Sequence, residues 1–170
     1  MRTLLILRHA KSSWKHAGLS DHDRPLNRRG ERDAPFMGQL LRSQRLSPGA
    51  IVSSTALRAQ RTAEDVAQSS GFEGAVQLEG RLYLADAGTI VDVGREVDAE
   101  THRILVVGHN PGVEELVSRL TGQDERLPTA ALAQIALPID QWNELRLTTD
   151  GRLVNLWRPR ALEDRRNADS

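Results

Sequence analysis

Two arginines and two histidines carry the chemistry this sequence can do. Arg8 and His9 directly follow the apolar run Leu4-Leu5-Ile6-Leu7. Arg58 comes shortly after the run Ala50-Ile51-Val52-Ser53. His109 directly follows Ile104-Leu105-Val106-Val107-Gly108. A guanidinium binds phosphate or carboxylate through forked hydrogen bonds. A neutral imidazole can attack phosphorus and hold the phosphoryl group covalently, and a second imidazole, when protonated, can stabilise the equatorial oxygens. The set points to phosphoryl transfer through a phosphohistidine, with no metal required. Lys11, Ser12 and Asn110 stand next to these residues in sequence and are candidate phosphate contacts. Lys11 reads equally well as a solvated lysine, and Asn110 as the cap of the helix that follows.

These residues can meet only if the chain brings them to one place. Short apolar runs read as buried strands of a parallel sheet. Open α/β sheets place ligand sites at the carboxyl ends of such strands. Residues 10–25 are polar and read as a loop. A helix is predicted from an Asn27 cap, with a kink or break at Pro35. Strand 50–53 is followed by a helix capped by Ser54-Thr55, carrying Arg58 in its first turns and ending at Gly71. A weak strand at 75–78, the segment 81–85 and a helix over about 87–97 come next. Strand 103–108 runs into His109, and Asn110-Pro111-Gly112 opens a helix that ends at Gly122. Residues 131–137 read as a strand. Segments 145–149 and 152–157, on either side of Asp150-Gly151, read as a hairpin. Residues 1–160 are expected to form one domain, and the charged residues 161–170 a disordered tail. The alternation predicts an α/β fold: a mixed, mostly parallel sheet with helices on both faces.

Composition removes several classes of function. The chain has 23 basic and 23 acidic side chains, so net charge supplies no argument for nucleic acid or an anionic membrane. The absence of cysteine excludes disulfides, thiolate metal sites and a cysteine nucleophile. No run is long and apolar enough for a membrane span, and the opening lacks the apolar length of a signal peptide. A cytoplasmic protein is expected. His16, Asp21, His22 and Asp23 share one loop without regular ligand spacing, which argues against a metal site. Trp14 reads as a rim or loop anchor, and Trp142 and Trp157 as packing residues.

Three stretches resemble the histidine phosphatase superfamily, the phosphoglycerate-mutase-like group, and within it the small phosphohistidine phosphatase branch typified by SixA. They are Leu7-Arg8-His9-Ala10-Lys11, Ser53 to Ala63 around Leu57-Arg58-Ala59, and Val107-Gly108-His109-Asn110-Pro111. The likeness spans about residues 3–160. It implies a three-layer α/β/α fold whose six-stranded sheet has one antiparallel strand. It also implies that His9 is the phosphate acceptor and that Arg8, Arg58 and His109 form the phosphate pocket. Ala10 stands where most of the superfamily has glycine. Lys11 and Lys15 replace the acid or amide and the asparagine of the mutases. Larger relatives have a glutamate general acid before the second histidine. Glu79 and Asp86 are the candidates for a proton donor here, although a phosphoramidate leaving group needs less acid help than an alkoxide. Residues 59–108 are too few to include a cap subdomain, so an open site is expected. Such a site suits a phosphorylated protein, for example a histidine phosphotransfer domain. Two alternatives are a phosphatase of small phosphorylated molecules and a non-catalytic phosphate-binding or phosphoprotein-binding module. No cofactor is implied.

Overall fold

The computed structural model describes residues 1–170. Its strands are β1 (Arg2–Arg8), β2 (Ala50–Ser53), β3 (Gln77–Leu78), β4 (Arg103–Gly108), β5 (Leu132–Leu137) and β6 (Arg152–Trp157). They form one sheet in the order β3-β2-β4-β1-β5-β6. β1, β2, β3 and β4 pair in parallel, whereas β5 runs antiparallel to both of its neighbours, β1 and β6. The sheet is thus six-stranded and mixed, with β5 as the antiparallel member.

The period-two alternation of the strands sorts their side chains into two cores. Leu5, Leu7, Ile51, Leu105 and Val107 face one side, where they pack on helices α1 (Arg28–Ser43) and α2 (Leu57–Ser70). Leu4, Ile6, Val52, Ile104 and Val106 face the other side, against α3 (Ala87–Arg95), α4 (Gly112–Thr121) and the buried Trp142. Helices therefore cover both faces, giving three layers. The chain between β2 and β4 is taken up by α2, β3, a 3-10 turn at Gly80–Leu82 and α3, which leaves no cap subdomain. Fully burying each of these aliphatic side chains contributes roughly 1.5–3 kcal/mol. The strand ends that carry Arg8 and His109 thus project from between two buried apolar layers.

The cap predicted at Asn27 forms: its side chain accepts the Gly30 N–H at 2.9 Å. α1 then runs unbroken through Pro35, where a kink or break was expected. Ala34, Met37 and Leu41 of this helix are buried, and tertiary packing of that face offsets the one lost backbone bond. The helix start is held tightly to the loop after β1. The Asn27 N–H donates to the Lys11 carbonyl, and a Cβ at Gly30 would collide with that same carbonyl oxygen.

The expected hairpin does not form. β6 pairs with β5, and residues 145–149 are not a strand. Leu145 is buried in the core beside α3, so apolar alternation there marks a loop anchored by single side chains. Gly151 serves close approach instead of a hairpin turn. Its N–H donates to the Leu120 carbonyl at 2.7 Å, and an added Cβ would lie 3.0 Å from Ile135 Cγ2. Residues 161–168 of the expected disordered tail lie in α5 (Pro159–Ala168). Pro159 sits at the start of this helix, where its missing N–H costs nothing, and Leu162 packs against the α1–α2 core.

Candidate active site

Register brings the two histidines together. In the parallel β1–β4 pair Arg8 lies opposite Gly108, so His9 and His109 leave adjacent strands side by side. Their ring centroids are 5.1 Å apart. The His9 N–H donates to the Gly108 carbonyl at 3.0 Å and fastens the two strand ends. In the β2–β4 pair Ser53 lies opposite Val107, which sets Ser54 beside His109. The Ala10 N–H donates to Thr62 Oγ1 at 3.0 Å, tying β1 to the helix that carries Arg58. On the other flank the Ala130 N–H donates to the carbonyls of Arg8 and His9. Ala130 has φ 62°, a left-handed backbone that a non-glycine residue adopts only under constraint.

Hydrogen bonds fix the tautomer of each ring. His9 Nδ1 lies 2.8 Å from the Ala10 carbonyl. A carbonyl can only accept, so Nδ1 carries the proton and Nε2 keeps its lone pair. His109 Nε2 lies 2.8 Å from Ser54 Oγ, and its Nδ1 lies 3.5 Å from Arg58 Nη2, which can only donate. Nδ1 of His109 is therefore the acceptor, and its Nε2–H donates to Ser54. Burial pushes His9 down to about 3, with His109, Arg58 and Arg8 adding to the effect against the upward pull of the Ala10 bond. Burial and then Arg58 push His109 down to about 4. Both rings are neutral near pH 7.

This burial has a consequence for stability. The unfolded chain protonates these histidines as pH falls through about 6.5, but the folded chain resists until about 4 for His109 and about 3 for His9. The unfolded state therefore binds more protons in that window, and stability falls as pH drops from about 6.5 towards 4. Thermal melts across this range should show a falling Tm, with a shallower fall in His9→Gln. A flat Tm in the parent chain would contradict the burial account.

Arg58 is 3% exposed. Its Nη1 donates to the Asp21 carbonyl at 2.7 Å and its Nη2 to Asp21 Oδ2 at 3.0 Å. Asp21 also accepts from the Tyr83 hydroxyl and from Arg24 Nε. The Tyr83 bond first, and Arg58 and Arg24 further, hold the Asp21 carboxyl at about 2, so it remains an anion. Arg8 donates through Nη1 to the Leu127 carbonyl at 3.1 Å. Nε of Arg8 and Nε of Arg58 are buried without a partner, and such donors favour an anion. Replacing Asp21 with asparagine keeps the size but removes the charge that orients Arg58. We expect kcat/KM to fall about tenfold. Tyr83 should also lose most of its upward shift, of which the Asp21 bond is the first cause. The chain has one tyrosine, so an ultraviolet titration reads it alone.

Arg8, His9, Arg58 and His109 line one cavity of about 310 Å³, with Lys11, Ser12 and Asn110 also in its wall. Ser12 is buried and accepts from Arg24 Nη1 at 2.6 Å. Asn110 does not cap α4; its Nδ2 donates to Glu114 Oε1 and to the Leu127 carbonyl. Lys15 lines a neighbouring cavity instead. The structure does not bring Glu79 or Asp86 to His9. Glu79 pairs with Arg81, Asp86 caps α3 through the Thr89 N–H, and neither lines the cavity. Nor do His16, Asp21, His22 and Asp23 act as a group. Asp21 serves Arg58, and His22 bonds to Thr55. Sequence reasoning missed Ser54, Tyr83 and Arg24, and gave Asp21 no role beyond a metal site that it argued against. Ser54 was assigned to a helix cap, yet it follows β2 just as His9 and His109 follow β1 and β4, and that parallel was the available signal.

A family model, the histidine phosphatase superfamily (branch 1), matches residues 4–100. The chain belongs to the histidine phosphatase superfamily. As an enzyme it is accordingly of the phosphatase type. Among relatives of this superfamily member, an uncharacterised chloroplastic protein of Arabidopsis thaliana is 36% identical over 152 residues, 84% of this chain and 70% of the relative. An uncharacterised protein of Mycobacterium leprae is 31% identical over 154 residues, 83% of this chain and 92% of the relative. In structure the chain is similar to SixA from Agrobacterium tumefaciens, with a TM-score of 0.80 at 26% identity, covering 93% of this chain and 98% of that one. It is similar also to the protein histidine phosphatase SixA complexed with tungstate, with a TM-score of 0.80 at 25% identity, covering 94% and 99%.

Proposed function

We propose that this superfamily member hydrolyses protein phosphohistidine, such as that of a histidine phosphotransfer domain, through a covalent phosphohistidine on His9. The observation that carries the reading is the His9 ring, neutral, with Nδ1 tied to Ala10 and Nε2 free among Arg8, Arg58 and His109. Nε2 attacks phosphorus in line and forms an N–P bond. The N–P bond to the substrate imidazole breaks, and that imidazole leaves with the bonding pair and takes a proton from solvent. The positive charge on the phosphorylated His9 ring is shared with the Ala10 carbonyl through Nδ1–H. Water then attacks phosphorus, the Nε2–P bond breaks, and inorganic phosphate departs. Arg8 and Arg58 neutralise the peripheral oxygens throughout. His109 is neutral in the empty pocket, and an incoming phosphoryl dianion favours its protonation, which adds a third donor.

Two features support a protein substrate. First, no carboxylic acid is placed to protonate an alkoxide leaving group, because Glu79 and Asp86 lie elsewhere and Asp21 is held ionised. An imidazole leaving group needs that help least. Second, the fold has no cap, and the cavity mouth keeps Trp14 and Leu84 exposed. Initial rates with a histidine-phosphorylated phosphotransfer domain and with a panel of small phosphomonoesters test the reading. The protein substrate should be turned over at least about a hundredfold more efficiently in kcat/KM, a ratio within the reach of differential transition-state binding. Faster turnover of a small ester would assign the enzyme to metabolites. No turnover of any substrate would leave a binding module.

A further inference from the structure

Beside the His9 cavity lies a larger one, of about 740 Å³ against about 310 Å³. The two share Lys11, Ser12 and Trp14 and so form adjoining parts of one trough. The larger part is basic. Lys15, His16, Arg28 and Arg29 line it together with Lys11, against a single acid, Glu31. Arg29 has an ion-pair partner in Asp33. Lys11, Lys15 and Arg28 have none. Because the chain carries 23 bases and 23 acids, this concentration is local segregation and not a reflection of a basic protein. It is also built firmly. The Ser12–Leu26 bridge and the Asn27 N–H to Lys11 carbonyl bond hold the loop after β1 against the start of α1.

The rim adds apolar anchors. Of five exposed large hydrophobic side chains in the molecule, two, Trp14 and Leu84, stand in the wall of the His9 cavity. Trp14 is 75% exposed, and the Arg24 guanidinium lies 3.5 Å from its ring centroid. A held aromatic ring beside polar, charged ground is the anatomy of a protein-binding surface. Sites for small molecules enclose their ligands instead.

We propose that the basic cleft docks an acidic segment of the phosphorylated protein, adjacent in space to its phosphohistidine, while the phosphoryl group occupies the His9 cavity. The proposal rests on the phosphohistidine phosphatase reading and adds which surface recognises the partner, and by what charge. Cations at the rim of an anion site speed encounter and select partners by complementarity.

Two phosphohistidine peptides test it, one with a run of glutamates beside the phosphohistidine and one with glutamines in their place. Lys15→Glu combined with Arg28→Glu reverses the cleft without touching the His9 cavity, which neither residue lines. Both side chains are exposed, and Arg28 is the first residue of α1, where glutamate is favourable. Arg119→Glu, on an exposed position of α4, is the control. The parent chain and the control should show a KM about tenfold lower for the acidic peptide, an advantage that shrinks with added salt. The double variant should lose the advantage with kcat unchanged. Equal KM values for both peptides in the parent chain, or an advantage that survives the double variant, would overturn the docking cleft and leave the phosphatase reading standing. If a small bisphosphate loses as much affinity as the acidic peptide, the cleft is a small-molecule subsite and the proposal is overturned. Turnover of the phosphorylated phosphotransfer domain but of neither peptide overturns the docking proposal alone, and failure with all three substrates overturns the phosphatase reading with it.

Discussion

Replacing His9 with alanine should abolish turnover while the chain stays folded. The ring is the one group in the cavity with a free nitrogen lone pair at neutral pH. Its Nδ1 is committed to Ala10, and its depressed pKa keeps Nε2 unprotonated. No other cavity residue supplies a comparable nucleophile. Arg8, Arg58 and Lys11 are cations, and the His109 Nδ1 lone pair faces Arg58. Loss of a covalent nucleophile costs about 10⁴-fold or more in kcat. Incubation with a labelled phosphoprotein should leave acid-labile label on the parent chain and none on His9→Ala. Retention of more than about a hundredth of the activity would assign the attack to another group. The cost in stability should be only about 1–3 kcal/mol, for a lost hydrogen bond and a small cavity. Part of that cost is regained in acid, because the variant no longer buries a base that resists protonation.

Arg58→Ala should be the next most damaging change, lowering kcat/KM about 10³-fold, as for loss of a buried oxyanion donor. Arg58→Lys should recover only part of this, since an ammonium keeps the charge but lacks the fork that spans Asp21 and a phosphate. The variant has a second signature. Arg58 contributes to the depression of both His9 and His109, so both should titrate closer to 6.5 once it is gone, His109 more than His9, in which Arg58 is a later cause. NMR titration of the imidazole protons reads this directly. If activity fell without any movement of the His109 titration, Arg58 would not lie against that ring.

Several features could be read from residue order alone because they rest on local patterns. The apolar runs before His9 and His109 are strands, since four or five consecutive buried residues leave few alternatives in a chain of this size. Asn27 caps α1, and Gly71 and Gly122 end α2 and α4 in left-handed conformations, because caps depend on a few neighbouring atoms. Both strand–histidine junctions were legible for the same reason. Asp21 was not. It sits in a polar loop far in sequence from Arg58 and Tyr83, and nothing local distinguishes it from its neighbour Asp23. Segment 145–149 misled because apolar alternation reports which side chains are buried without reporting what they are buried against. Glu79 and Asp86 were plausible acids by position, and each is taken up by a contact within a few residues of itself.

Residue types and spacing were enough to single out Arg8, His9, Arg58 and His109, which the structure gathers around one cavity, and the parallel strands that end at His9 and His109. They could not say which ring nitrogen is free, what holds Arg58, or where the unpaired cations gather. Those answers depend on contacts between residues far apart in the chain: Arg8 in register with Gly108, Ser54 against His109, Asp21 and Tyr83 around Arg58, and the Lys11 loop against the start of α1. Burial keeps His9 and His109 uncharged, and burial exists only once the sheet and its two helical layers have closed around the strand ends.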